Sequence, residues 1–128
     1  MRPLILFTTL TGFLGLSIGC GGKQAASATS PFRDRLDAAV AIQNSFEKDN
    51  ALVAVAKEAA AGGDTGVAHD ALDKIANTFT KDNTAHECAL KLAKAGKGAE
   101  ATKIAQKISN SFTRDATLAK LAKGDFGN

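Results

Sequence analysis

From Pro31 onward, apolar residues recur three and four places apart between polar ones, the spacing of helices that bury one face. Glu47 to Ala61 puts Leu52, Val55, Ala56 and Ala59 on one stripe. Asp64 to Asn77 does the same with Val67, Ala68, Ala71, Leu72 and Ile75, and Gly62-Gly63 separates the two. A second pair follows, with Ala85, Cys88, Ala89 and Leu92, a break near Ala95-Gly96-Lys97-Gly98, and then Ala101, Ile104, Ala105 and Ile108. A single helix from Pro31 to Asn44, with Phe32, Leu36, Ala39 and Val40 on one face, precedes these pairs. Another from Arg114 to Lys123, with Leu118, Leu121 and Ala122, comes after them. The pattern predicts six helices. Ser30-Pro31 supplies a start signal, a capping hydroxyl followed by proline at the first helical position. Thr80 and Thr113 are expected to cap the helices that follow them, with Asp82 and Asp115 in the first turn, where the helix dipole favours negative charge.

The pattern repeats. Ile42-Gln-Asn-Ser-Phe-Glu-Lys-Asp-Asn50, Ile75-Ala-Asn-Thr-Phe-Thr-Lys-Asp-Asn83 and Ile108-Ser-Asn-Ser-Phe-Thr-Arg-Asp-Ala116 stand 33 residues apart. Phe46, Phe79 and Phe112 recur, each followed two and three places later by a basic residue and an aspartate. Fixed periods of this length mark stacked supersecondary units. The unit resembles the tetratricopeptide repeat: Ala56 and Ala89 match that family's small residue in the first helix, Gly63-Asp64 its turn, and Ala68 and Ala101 the close-contact alanine of its second helix. The resemblance covers residues 42 to 122 and implies an all-α, right-handed solenoid of helical hairpins. Its departures are a period of 33, aliphatic residues in place of large aromatics, and Thr80 and Thr113 where a proline often ends the unit. The flanking helices are expected to cover the two end faces.

Ahead of the patterned region the chain divides differently. Met1-Arg2-Pro3 is charged, and Leu4 to Ile18 carries no charge at all, a signal-sequence layout too short for the roughly 20 residues of a membrane span. Ser17-Ile18-Gly19-Cys20 then resembles the lipobox of bacterial lipoproteins, with Leu16 one place earlier than that family's usual leucine. The resemblance implies cleavage after residue 19 and a covalent lipid on Cys20 that anchors the chain to a membrane. Two or more acyl chains make such attachment stable. Residues 20–30, small and polar, read as a flexible tether reaching about 15–20 Å. The organisation is therefore signal peptide 1–19, tether 20–30, helical repeat domain 31–123 and tail 124–128. Gly21 after the cysteine is unlike an acidic retention signal and leans toward an outer membrane, where the cell has one.

Charge narrows the partners. Removing Arg2 from the 16 basic residues leaves 15 against 13 acidic ones, a net charge of +2 with the signs interspersed. That argues for a solvated surface and against nucleic acid, as does export. With no Trp and no Tyr, the core must be aliphatic and alanine-rich. Catalytic equipment is missing from the pattern. The 33-residue offset aligns Cys88 with Val55 and Leu121, so it reads as a small buried apolar residue despite His86 nearby. Asp70 and Asp73 near His69 read as solvated helix surface. No metal-ligand spacing, phosphate loop or nucleophilic triad is present, so neither an enzyme nor a bound cofactor is expected beyond the lipid.

Hairpin repeats of this kind offer a concave face lined by the first helix of each pair, and they bind peptides or proteins there. On this chain the candidate positions are Asn50, Val53 and Lys57 in one unit and Asn83, His86, Leu90 and Lys94 in the next. Asn and Lys suit a carboxylate or a peptide backbone. The reading is a lipid-anchored adaptor for a protein or peptide in the bacterial envelope, with a self-associating structural protein as the alternative.

Overall fold

A computed structural model describes residues 30–127, and all of its regular structure is helical. The elements are α1 (Pro31–Val40), α2 (Ser45–Ala61), α3 (Thr65–Lys74), α4 (Thr78–Lys94), α5 (Gly98–Gln106) and α6 (Ser111–Lys123). Residues 1–29, on which the expected signal peptide, the Cys20 lipid site and most of the expected tether fall, lie outside the described residues. Long helices alternate with short ones. α2 pairs with α3 and α4 with α5, while α2, α4 and α6 pack on one another in chain order. Each short helix fills the step between two long ones, α3 against α2 and α4, α5 against α4 and α6.

All of the stripe residues read from the two helix pairs are buried in one core. Half of its twenty apolar residues are alanines. Small side chains let helix axes approach closely, but each buries only one methyl group, and burial yields about 0.8 kcal/mol per carbon. The contact therefore depends on many close helix surfaces and on no single large side chain. α1 buries Leu36 and Ala39, whereas α6 fully buries only Thr117 and leaves Leu118 and Leu121 half-exposed. α6 covers the end of the second pair as the pattern suggested, packing on α4 and α5 with Leu118 and Leu121 against the core, but its own outer side is left open. Val40, expected on the packed face of α1, is exposed.

The helix boundaries differ from the expected ones for a local reason. α1 stops at Val40, short of Asn44, because Asn44 is itself the N-cap of α2 with extended backbone. Asn44, Asn77 and Asn110 occupy the same repeat position. Each accepts a hydrogen bond from the backbone N–H three residues on, those of Glu47, Thr80 and Thr113, at 3.1, 2.9 and 3.0 Å. Thr80 and Thr113 therefore donate to the caps and do not cap. An asparagine amide reaches the exposed N–H groups from outside the helix, which a threonine already inside the first turn cannot do.

The long helices end alike. Gly63 and Gly96 take left-handed backbone, φ 74° and 79°, and donate to the carbonyls of Ala60 and Ala93. The next residues, Asp64 and Lys97, donate to Ala59 and Leu92, closing the paired turn that needs a residue without Cβ strain. Gly124 ends α6 in the same way, one turn earlier in the repeat. The short helices begin differently. Asp64 caps α3 through the N–H of Val67, at 3.1 Å, whereas its counterpart Lys97 gives α5 no side-chain cap.

Candidate binding face

The long helices bury one stripe and present another. On α2 the outward stripe runs Phe46, Asn50, Val53, Lys57. On α4 it runs Phe79, Asn83, His86, Leu90, and on α6 Phe112, Ala116, Ala119, Lys123, each spaced as successive turns of one helix face. The positions named from sequence thus form the body of a face whose leading edge is a phenylalanine in each first turn. Phe46, Phe79 and Phe112 are 70%, 77% and 83% exposed. A single exposed aromatic is ordinary; three at one repeat position make a ladder of apolar surface. The recurrence of these residues was plain in the sequence. Their exposure was signalled by their place off the buried stripe, three residues before a recurrent aspartate that is buried on α2 and α4.

That aspartate fixes the ladder. Asp49 on α2 is 9% exposed, and its carboxylate accepts the backbone N–H groups of Ala76 and Asn77, both at 3.0 Å. Asp82 on α4 is 6% exposed and accepts those of Ser109 and Asn110 at 2.9 and 2.8 Å. Each clamp grips the link that leads into the next long helix and so sets where that helix begins. Asp82 was expected to serve the dipole of its own helix; it serves the next one, because its position on the fifth helical residue is past the orphan N–H groups. Between the clamps and the phenylalanines lie two hollows of about 450 Å³ each, one beside Phe46 and Asn50, the other beside Phe79 and Asn83.

Toward the other end of the face, side chains tie neighbouring helices together. Lys57 pairs with Glu87 of α4 at 2.8 Å, and His86 Nδ1 meets Thr117 Oγ1 of α6 at 2.6 Å. Lys94 donates to the carbonyl of Gly127 at 3.2 Å, and Leu90 with Lys94 borders a shallow hollow closed by Phe126. Val53 is half-buried against the core. Of the seven positions named from sequence, Asn50 and Asn83 are therefore open to a ligand, while Lys57, His86 and Lys94 already have partners within the chain.

The other candidate chemistry takes structural roles. Cys88 is wholly buried, and desolvation pushes its thiol up to about 12, so no thiolate forms at neutral pH. Asp70 and Asp73 are half-exposed, as expected of surface, but each is paired across helices. Asp70 meets Arg33 of α1, and Asp73 meets Lys107 at 3.2 Å. His69 lies 3.6 Å from Glu100, whose carboxyl is held below its ordinary range chiefly by Lys103. Arg35 does the same for Glu58 through a side-chain hydrogen bond. Among the described residues no cluster of three or more His, Cys, Asp or Glu side chains could hold a metal ion, and no helix is long and apolar enough to cross a membrane. Compared with known proteins, the chain matches no family model, no curated protein and no solved structure.

Proposed function

We propose that this chain is a short helical-repeat binding module, a tetratricopeptide-like array tethered through a lipid on Cys20 to a bacterial envelope membrane, and that it captures a protein or peptide segment. The observation that carries the reading is the ladder of Phe46, Phe79 and Phe112, exposed at one repeat position along the edge of the long-helix face. Aromatic side chains lose little conformational entropy on contact and carry a large apolar area, which is why such residues anchor interfaces. Asn50 and Asn83, open beside the two hollows, are placed to hydrogen-bond the backbone of an extended segment. A client with apolar side chains at regular intervals suits this edge better than the carboxylate-bearing one that the lysines suggested, since Lys57 and Lys94 are already engaged.

The test is capture from detergent-solubilised envelope by the full chain, beside a variant with Phe46, Phe79 and Phe112 changed to serine and the same helical content. A client retained by the first and lost by the second supports the reading. Identical captures, or none, favour a structural protein without a separate client.

A further inference from the structure

The interior clamps use a fixed spacing: the carboxylate stands 27 and 28 residues before the two N–H groups it accepts, Asp49 before Ala76 and Asn77, Asp82 before Ser109 and Asn110. The repeat supplies one more of each half than these joints consume. Asp115 occupies the clamp position on α6, with its side chain 70% exposed and only the neighbouring Arg114 beside it at 3.2 Å. At the opposite end, Gln43 and Asn44 occupy the donor positions ahead of α2. They are exposed, and their backbone N–H groups meet no acceptor among the described residues.

The helices leave the same complementary remainder. The described array opens on a short helix, α1, with no long helix before it, and closes on a long helix, α6, with no short helix after it. Leu118 and Leu121 are half-exposed on α6, yet Ala85 and Cys88, one repeat earlier, are buried. Ala38 and Ile42 are exposed or half-exposed, yet Ala71 and Ile75, one repeat later, are buried. A groove of about 500 Å³ runs beside Leu118 and Leu121, and one of about 360 Å³ beside Ala38 and Ile42. In the interior pairs, a turn of a few residues sends the short helix back along the long one. The same pairing sets the first turns of α1, with Asp34 and Asp37, beside the last turn of α6, with Lys120 and Lys123.

We propose that two copies of this chain join head to tail: α1 of one copy packs on α6 of the other, and Asp115 accepts the backbone N–H groups of the other copy's Gln43 and Asn44. The contact uses different surfaces on the two copies, so a joined pair keeps one free end on each copy and is open to further addition. Each addition carries the phenylalanine ladder onward. The inference is independent of the proposed client, because it rests on the end faces and not on that edge.

Sedimentation of the full chain in density-matched detergent tests it, with two variants at exposed positions that leave the helices intact. Asp115→Lys sets an ammonium against backbone donors and blocks the α6 end. Ala38→Arg fills the groove at the α1 end. The wild-type mass should rise with concentration from the micromolar to the submillimolar range, and each variant alone should associate at least tenfold more weakly. Mixed in equal amounts, the variants should give a one-to-one dimer that grows no further, since one end of each remains intact. A wild-type chain that stays monomeric, as it would if residues of the same chain cover the α1 end, overturns the proposal. So does association that survives either substitution, or a mixture that fails to dimerise.

Discussion

The joint between α2 and α4 and the joint between α4 and α6 share a backbone device and differ in the side chains around it. Both close with a buried aspartate on two N–H groups, and both start the incoming helix with an asparagine cap. Beyond that they diverge. Lys57 and Glu87 bridge the first joint; one repeat on, the same positions hold Leu90 and Lys120, which cannot pair by charge. Val53 and Thr84 at the first joint become His86 and Thr117 at the second. The contrast shows which part of a repeat tolerates change. A carboxylate that satisfies backbone donors sees the same partner in every unit, whereas a side chain facing a side chain needs only a neighbour that fits.

The largest effect should come from the shared device. Asp49→Ala or Asp82→Ala removes two charge-assisted hydrogen bonds from the link into the next long helix, a loss of about 2–3 kcal/mol in urea unfolding. Asp115→Ala, the same substitution at the exposed third copy, should leave unfolding of the dilute chain unchanged. Equal losses at all three positions would mean that the carboxylate acts within its own helix and not at the joint. Because α6 packs only on α4 and α5 among the described helices, Asp82→Ala should also speed amide exchange in α6 ahead of α2.

A second contrast lies between the hairpins. Asp64 caps α3, and Ser30 and the Val67 N–H hold its carboxyl below the ordinary range. Lys97 puts a positive charge and no acceptor at the same place on α5. Lys97→Asp should therefore stabilise the chain by about 1 kcal/mol, the size of an N-cap, read as a higher urea midpoint at unchanged slope. Smaller still is the effect at the ladder. Serine at Phe46, Phe79 or Phe112 should alter unfolding by less than about 0.5 kcal/mol each, as expected of exposed side chains. A loss of several times that would make the ladder part of the core.

Much of this was legible in advance, and the reason is geometric. Leu52, Val67, Ala68, Leu92 and Ile104 are read as core because period and burial are one fact on a helix, and the glycine breaks at Gly63 and Gly96 fall where left-handed backbone is required. The aspartates were legible only as recurrent. An acid in the second turn looks like surface charge until the link 27 residues away is brought beside it, and no local pattern carries that information. The same holds for Lys57 and His86: helix phase placed them on an outward face, but their partners on the next helix decide whether they are available.

The smallest effect separates the two joints by pH. Thr117 Oγ1 donates its one proton to the carbonyl of Thr113 at 2.6 Å, so toward His86 it accepts, and the imidazole carries its proton on Nδ1. A second proton on Nε2 is disfavoured by burial and by Lys120, with Glu87 opposing more weakly, and the His86 pKa lies below the ordinary 6.5. As pH falls through that window the unfolded chain binds the proton first. Stability should therefore decline below about pH 6.5 and level off once the folded imidazole also titrates. Asp64, Glu58 and Glu100, whose carboxyls are depressed, lose their contribution only at lower pH. His86→Val gives the second joint the residue of the first, and Thr117 keeps its bond to Thr113 as Thr84 keeps its own to Thr80. Urea unfolding at pH 7, 6 and 5 should then show a flatter decline for the variant than for the parent chain. An identical decline would place the acid sensitivity outside this joint and leave the imidazole a spacer in place of valine.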